Sequence, residues 1–302
     1  MFRRKVHLLL TKVVGLFSLV RGYNLLLIVL AQYLSSIFIF SYQKPALDVL
    51  LDLNLFIIVL SSILSIASGY IINNFYDAKK DLINRPEKAK IDQNIEQSLK
   101  LKIYFSLNIL ATLLAFLVSY KAALFFCFYV FLLWFYSHKL KKIVFLDNLT
   151  AALLAILPFF GVLMYFKNFH LVIFVHASYL FVILLIRELI KSLENIKGDT
   201  LVGLNTIPIV KGSKFSKKLI FSLTLVSIIP ALMLIFKFNI GMMNYFFYLS
   251  NSLLLFNLIM LKKAESKKDF LVIHFVLKLI ILMGVFSITL IDPSVVFKFI
   301  LN

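Results

Sequence analysis

Carboxylate and amide side chains recur at helical spacing in the segment INNFYDAKKDLINRPEK, which follows an uncharged apolar run. Asn73, Asp77 and Asp81 are four residues apart, which places them on one face of a helix with about 6 Å between neighbours. Arg85 extends this face, and Pro86 then restricts further helix. Two carboxylates this close repel each other unless a cation binds them. The spacing therefore predicts a cation-binding site at the end of an apolar helix.

The segment RELIKSLENIKGD repeats this arrangement later in the chain. Its polar residues follow spacings of 4, 3 and 4, the pattern of a single helix face, and they are Glu188, Ser192, Asn195 and Asp199. Gly198 indicates that the helix ends near this point. Because hard oxygen ligands with almost no histidine nearby suit magnesium better than zinc, the two stripes predict a Mg²⁺ site.

Basic side chains adjoin both stripes, namely Arg85, Lys88, Arg187 and Lys191. Cationic groups beside a Mg²⁺ site suit a phosphate-bearing ligand. Either stripe alone is equally compatible with a solvated helix end held by salt bridges. Because both stripes occur at the ends of apolar helices, the favoured interpretation is a magnesium–diphosphate site that faces a membrane cavity.

The elements that must position these stripes are membrane helices. Of the 302 residues 62% are hydrophobic, 32 are Phe, and the mean hydropathy is +0.97, which is typical of a multi-span membrane protein. The one cysteine, Cys127, excludes a disulfide framework and a thiolate zinc site. The sequence predicts one all-α integral membrane domain over 1–302, with nine helices around a central cavity and the polar loops 73–102 and 187–218 capping it. The predicted spans are 22–41, 53–72, 103–120, 122–136, 149–166, 169–186, 219–236, 241–261 and 270–291.

The net charge of +18 is distributed unevenly over the loops between these spans. One side carries 26 Lys and Arg and the other carries five, while Lys278 falls within the last span. By the positive-inside rule we expect a multi-pass cell-membrane protein with a cytoplasmic N-terminus and a cytoplasmic site. This pattern explains the basic charge without nucleic-acid binding. We expect the lipid bilayer to surround the chain, and no protein partner is required.

Four segments resemble motifs of the UbiA superfamily of intramembrane prenyltransferases, in the same order along the chain. The stretch from Asn73 to Asp81 resembles N-D-x-x-D-x-x-x-D, and Asn84-Arg85-Pro86 matches the N-R-P that commonly follows. The second stripe, with its trailing Gly-Asp and Thr-Ile-Pro, resembles D-x-x-D-x-x-x-D. The two remaining correspondences are Arg21 and Asn24 with R-P-x-N, and Tyr136-Ser137 with Leu140-Lys141 for Y-S-x-x-L-K.

The resemblance implies a Mg²⁺-dependent transfer of an isoprenyl chain from a polyprenyl diphosphate to a membrane-embedded acceptor, through an allylic cation. It implies metal ligands at Asn73, Asp77, Asp81, Asn195 and Asp199. It implies catalytic roles for Asp77, Asp81, Asp199, Tyr136 and Lys141. It implies substrate contacts from Arg21, Asn24, Arg85, Ser137, Arg187 and Lys191. The motif sequences are most similar to those of the branch that alkylates geranylgeranylglyceryl phosphate. The branches that act on quinone head groups, haem and chlorin share the same motif pattern.

Three residues depart from these motifs, namely Asn74, Ser192 and Asn195, each of which stands where Asp is usual. Two negative charges are thus missing from the second stripe, and Glu188, one turn back, is a candidate to compensate for them. A catalytically weakened scaffold is therefore one alternative to the enzyme. A secondary transporter is another, but it would place its polar groups at mid-depth of the bilayer.

Several single residues have ordinary structural interpretations that we favour. We expect His138 to be interfacial, Lys278 to reach back to the headgroups, and Asp147 to cap the fifth helix. Tyr76 and Tyr136 are candidates to face the allylic cation with their rings, although both could belong to an interfacial aromatic belt.

Overall fold

The computed structural model describes residues 14–41 and 44–295, which form helices without any β-strand. Nine helices in this part of the chain are long and apolar enough to cross a membrane, which confirms the predicted number of spans. They are α1 (Gly22–Ser35, continued by a π-helical turn at Ser36–Phe40), α2 (Leu53–Asn84), α3 (Gln97–Val118), α4 (Tyr120–His138), α5 (Leu146–Phe166), α6 (Leu171–Glu194), α7 (Ser213–Lys237), α8 (Asn244–Lys263) and α9 (Lys267–Ser287). The basic residues before position 14 and Lys298, which contribute to the predicted orientation, lie outside the described residues.

The two helices that carry the polar stripes are longer than their predicted spans. Helix α2 continues beyond residue 72 through the whole first stripe, and α6 continues beyond residue 186 into the second. Helix α2 stops at Asn84 because Arg85 adopts φ −144° and ψ 63° ahead of Pro86, which then begins the short helix Pro86–Asp92. The polar loops are therefore largely ordered extensions of membrane helices.

The nine helices form a closed ring. Helices that follow each other in sequence pack side by side from α2 to α9, and α1 contacts both α2 and α9. Large apolar side chains cover the outside of the ring, where Phe116, Leu117 and Phe236 are 63%, 69% and 77% exposed. Exposed apolar surface of this extent is suited to lipid. The predicted central cavity lies inside the ring.

A proline inside α5 is compensated from a neighbouring helix. Pro158 has no backbone N–H, so the carbonyl oxygen of Leu154 loses its helical donor. The buried hydroxyl of Tyr129 on α4 donates to this oxygen at 3.0 Å. Gln32 on α1, also buried, donates to the carbonyl of Pro158 at 3.1 Å. These two bonds fix α5 against α4 and α1 beside the cavity.

We expect Tyr129→Phe to lower the free energy of unfolding by about 1 kcal/mol, because no water is present in the membrane core to replace the lost donor. Unfolding in mixed micelles with increasing SDS would measure this change. The control is Tyr245→Phe, whose ring is 68% exposed and makes no hydrogen bond within the described chain. Equal stability of the two variants would contradict the bridging role of Tyr129.

Candidate active site

A cavity of about 850 Å³ lies between α1, α2, α4, α5, α6 and α9. Its walls are polar where α2 and α6 end, and apolar deeper in the bundle, where Ile66, Phe160, Phe174 and Ile281 line it. Every predicted site residue contributes to its lining: Arg21, Asn24, Asn73, Asp77, Asp81, Arg85, Tyr136, Ser137, Lys141, Arg187, Lys191, Asn195 and Asp199. The cavity thus has a charged end, here called its head, and an apolar end deeper in the bundle.

The first stripe faces the cavity because α2 is unbroken from Leu53 to Asn84. Lys141 approaches it from the 3₁₀ turn that follows α4. Its ammonium pairs with the carboxylate of Asp77 and also donates to the side-chain oxygen of Asn73 at 3.0 Å. The end of α4 is thereby fixed to the acidic face of α2.

The second stripe is not a single helix, contrary to the prediction. Helix α6 ends at Glu194, Asn195 has φ −104° and ψ 8°, and a new short helix runs over Ile196–Leu201. Gly198 therefore lies inside this second helix and does not end the first. The break changes the direction of the chain, yet Asp199 still lines the cavity together with the residues before it.

The two stripes meet directly at the head of the cavity. Asn84 accepts a hydrogen bond from the backbone N–H of Gly198 at 3.2 Å and donates to the carbonyl of Asn195 at 3.4 Å. Lys80 on α2 lies 2.9 Å from a carboxylate oxygen of Asp199, an ion-pair contact without hydrogen-bond geometry. Spacing alone did not single out Lys80, because its partner is more than a hundred residues away in sequence. The acidic ends of α2 and α6 thus form one site.

The UbiA prenyltransferase family model matches residues 28–280. The chain belongs to the UbiA prenyltransferase family. It is accordingly a prenyltransferase of the multi-pass membrane type, as its motifs predicted. Among its curated relatives, the digeranylgeranylglyceryl phosphate synthase of Thermococcus sibiricus is 30% identical over 227 residues, covering 74% of this chain and 79% of that protein. The synthase of the same name from Methanobrevibacter smithii is 27% identical over 230 residues, covering 72% and 79%.

Solved structures show the same fold. A structure described for digeranylgeranylglyceryl phosphate synthase in membranes has a TM-score of 0.69 at 20% identity, over 92% of this chain and 97% of the other. A UbiA homolog from Archaeoglobus fulgidus bound to GPP and Mg²⁺ has a TM-score of 0.65 at 15% identity, over 91% of this chain and 99% of the other. These likenesses confirm the UbiA helical architecture.

One departure from the UbiA motif has a structural explanation. Asn74, which replaces the leading Asp, is buried and does not line the cavity. Its amide donates to Asp92 at 2.8 Å and accepts from the buried ammonium of Lys100 at 3.0 Å. Lys88 completes this group by pairing with Asp92 at 2.6 Å. Asn74 therefore fixes the first loop against α3 and lies outside the cavity lining.

Glu188, the candidate to compensate for the charge missing from the second stripe, is held by its neighbours. Its carboxylate is buried between Arg187 at 2.7 Å and Lys191 at 2.6 Å. Compensation by Glu188 for Ser192 and Asn195 therefore stays a prediction, because Glu188 lines the cavity but is held by two cations. The same contacts mean that Arg187 and Lys191, although they line the cavity, already have an anionic partner.

Asp147 lines the cavity and does not cap α5, contrary to the interpretation from sequence. It accepts a hydrogen bond from the hydroxyl of Tyr136 at 2.9 Å, which fixes the tyrosine ring in the cavity wall. The next residue, Asn148, is turned toward α6 and donates to Ser192 at 2.9 Å. The serine that replaces a motif Asp is thus engaged in helix packing.

The structure bears on three further expectations. Tyr76 does not line the cavity, since it is 39% exposed and its hydroxyl lies 3.1 Å from His138, so the idea that it faces an allylic cation is wrong. His138 stacks on Trp134 outside the cavity, as expected of an interfacial residue. Lys278 lines the cavity, and its expected reach to the headgroups stays a prediction.

The residues at the head of the cavity fit Mg²⁺ by their chemistry. Within the part of the chain that the structure describes, no three His, Cys, Asp or Glu side chains form a ready-made metal site. However, Asp81 lines the cavity without an ion-pair partner there, and the side-chain oxygen of Asn195 is buried without a donor. Magnesium commonly uses one or two carboxylates and takes its remaining ligands from substrate phosphates and water.

We expect Gly198→Ala to lower transferase activity about 100-fold, because the new methyl group would overlap the side chain of Asn84 and separate the two stripes. Steady-state kinetics and a thermal melt would measure activity and folding together. The control is Gly15→Ala, whose added carbon would meet its nearest neighbour, Ile95, at an ordinary 3.4 Å. Full activity of folded Gly198→Ala would show that this contact does not align the site.

Proposed function

We propose that this UbiA prenyltransferase transfers a geranylgeranyl group from geranylgeranyl diphosphate to the free hydroxyl of geranylgeranylglyceryl phosphate. Three curated relatives, each named digeranylgeranylglyceryl phosphate synthase, support this choice of substrates. The observation that best supports this reaction type is the ion pair between Lys80 and Asp199, which connects the two stripes at the head of an otherwise apolar cavity. A diphosphate bound at this point would leave its hydrocarbon tail between lipid-like walls.

The residues that would hold Mg²⁺ are Asn73, Asp77, Asp81, Asn195 and Asp199. When bound, the metal would neutralise the diphosphate and stabilise it as a leaving group. Two of these carboxylates are paired with Lys141 and Lys80. Both ammonium groups would be free to bind phosphate oxygens once a metal takes over the carboxylates. Arg85, which lines the cavity beside them, would add a bidentate contact.

The transfer would proceed by loss of the diphosphate and attack of the acceptor. The bond between C1 and the bridging oxygen breaks, the diphosphate leaves with the electron pair, and an allylic cation develops. The ring of Tyr136, fixed by its bond to Asp147, would face this cation. The acceptor oxygen then bonds to C1 and loses its proton. Arg21, Asn24 and Ser137 line the same cavity and would contact the substrates.

We propose a cytoplasmic N-terminus and a cytoplasmic active site in the cell membrane, from the distribution of Lys and Arg over the loops. In a Cys127→Ala background, Lys90→Cys and Lys237→Cys place single thiols in exposed positions at the two ends of the bundle. A membrane-impermeant maleimide applied to intact cells is expected to label the second thiol and not the first. Labelling of the first thiol alone would show that the orientation is opposite to the proposed one.

A secondary transporter is the second candidate, and the position of the acidic groups disfavours it. Asp77, Asp81 and Asp199 lie at the ends of membrane helices and not at broken helices in mid-bilayer. A weakened scaffold is the third candidate, because Ser192 and Asn195 remove two carboxylates. The scaffold interpretation requires that the purified protein lack Mg²⁺-dependent turnover.

We expect purified protein to form labelled product from radiolabelled geranylgeranyl diphosphate and geranylgeranylglyceryl phosphate only with Mg²⁺. Asp81→Asn should lower this rate at least about 100-fold, because an unpaired carboxylate at the metal-binding face is lost. Mn²⁺ binding followed by electron paramagnetic resonance should weaken in parallel. The control is Asp48→Asn, an exposed carboxylate in the short helix Ala46–Leu50 outside the cavity.

Other outcomes would identify the alternatives. Product with 4-hydroxybenzoate and not with the glyceryl phosphate would replace the proposed acceptor with an aromatic one. Movement of unchanged label into proteoliposomes would indicate a transporter. Metal-independent inertness of the folded protein would indicate a scaffold.

A further inference from the structure

A buried carboxylate–histidine pair that the transfer chemistry above does not use lines the same cavity. Glu194, the last residue of α6, and His274 on α9 are 6% and 5% exposed. The carboxylate oxygen of Glu194 lies 2.7 Å from Nδ1 of His274, and both residues belong to the cavity wall. Ionisable groups buried in membrane helices are costly, and their retention indicates a functional role.

We propose that His274 is the general base of the transfer, removing the proton from the acceptor hydroxyl, and that Glu194 positions it. This inference rests on the proposed function, because it requires an alcohol acceptor and a diphosphate donor. An aromatic acceptor that reacts at carbon would instead lose a ring proton after the bond to C1 has formed.

The hydrogen bond at Nδ1 determines which ring nitrogen can take a proton. A carboxylate at Nδ1 holds the ring in the tautomer that donates from Nδ1, which leaves Nε2 with a free lone pair. Nε2 makes no hydrogen bond to any residue that the structure describes, and it is not a fully enclosed atom. In a residue of the cavity wall, this nitrogen is available to a bound hydroxyl group.

The charges around this carboxylate–histidine pair are suited to an anionic acceptor. Lys278 lies one turn further along α9 and also lines the cavity. The positive charges of Lys278 and Lys191 interact electrostatically with the imidazole of His274. The positive charges of Arg85 and Lys267 interact electrostatically with the carboxylate of Glu194. Lys278 has no ion-pair partner among the described residues. A phosphate group beside the reacting hydroxyl would find its counter-charge at this ammonium.

The step balances without any further reactant. The hydroxyl proton moves to Nε2 of His274 as the oxygen bonds to C1 of the donor. The bond from C1 to the bridging oxygen breaks, and the diphosphate takes the electron pair. The imidazolium formed is stabilised by the carboxylate of Glu194, and it returns its proton to solvent or to the departing diphosphate. A base positioned in this way contributes about 10²- to 10⁴-fold to a rate.

The competing interpretation is a purely structural pair that holds α6 against α9. A structural pair would affect folding and the binding of both substrates when it is broken. A general base would affect the rate of transfer and leave donor binding unchanged. The two interpretations are therefore separated by the effects on kcat and on donor affinity.

The experiment compares wild type, His274→Gln and Glu194→Gln, with His138→Gln as the matched histidine control outside the cavity. Mg²⁺-dependent binding of geranylgeranyl diphosphate, thermal stability, and kcat and KM with geranylgeranylglyceryl phosphate are measured for each. We expect His274→Gln to lower kcat about 100-fold or more while the donor Kd stays within twofold. We expect Glu194→Gln, which can still bond to Nδ1, to lower kcat by a smaller factor while the donor Kd again stays within twofold.

Failure of the inference differs from failure of the proposed function. If wild type binds the donor and transfers to the alcohol but folded His274→Gln does so at an equal rate, His274 is not the base. If wild type shows no Mg²⁺-dependent transfer to any alcohol, the proposed function itself fails. If His274→Gln does not fold, Glu194→Gln decides the question, and an unchanged kcat of this variant would overturn the proposal.

Discussion

The site depends on one long-range contact, the joint between the end of α2 and the turn after α6. Asn84 bonds to the backbone at Gly198 and Asn195, and Lys80 pairs with Asp199. A membrane core contains no water to satisfy polar groups, so each helix end must find protein partners or reach the surface. The end of α2 and the turn after α6 meet this requirement by bonding to each other. The joint therefore both completes the fold and creates the head of the cavity.

Counter-charge is the second constraint on the site. The structure places an ammonium group on the motif carboxylates Asp77 and Asp199, and two cations on Glu188. Burying a carboxylate without a partner would cost several kcal/mol, so the basic residues allow the acidic face to exist inside the bundle. Asp81 is the exception, because it faces the cavity without such a partner in the described chain. Asp77 and Asp199 are thus neutralised within the chain, whereas Asp81 is not.

Polar residues of similar type have different roles according to the side of the helix on which they lie. Asn73 faces the cavity, whereas Asn74, its neighbour by about 100° of helical rotation, fixes a loop through Lys100 and Asp92. Ser192 bonds to Asn148 and contributes to packing between α5 and α6. The residues that replace a motif Asp are thus engaged in different contacts, with a loop at Asn74 and with a neighbouring helix at Ser192.

The sequence by itself determined the class, the nine spans and thirteen polar residues of the cavity lining, because hydropathy and helical spacing are local properties of the chain. It did not determine the break at Asn195, the inward position of Asp147 and Lys278, or the outward position of Tyr76. These depend on how α2, α5, α6 and α9 pack, which adds partners from distant segments. Lys80 and Asp199 illustrate the limit: each is visible in the sequence, but only tertiary structure makes them a pair, because a charge has no preferred partner until packing brings one within reach.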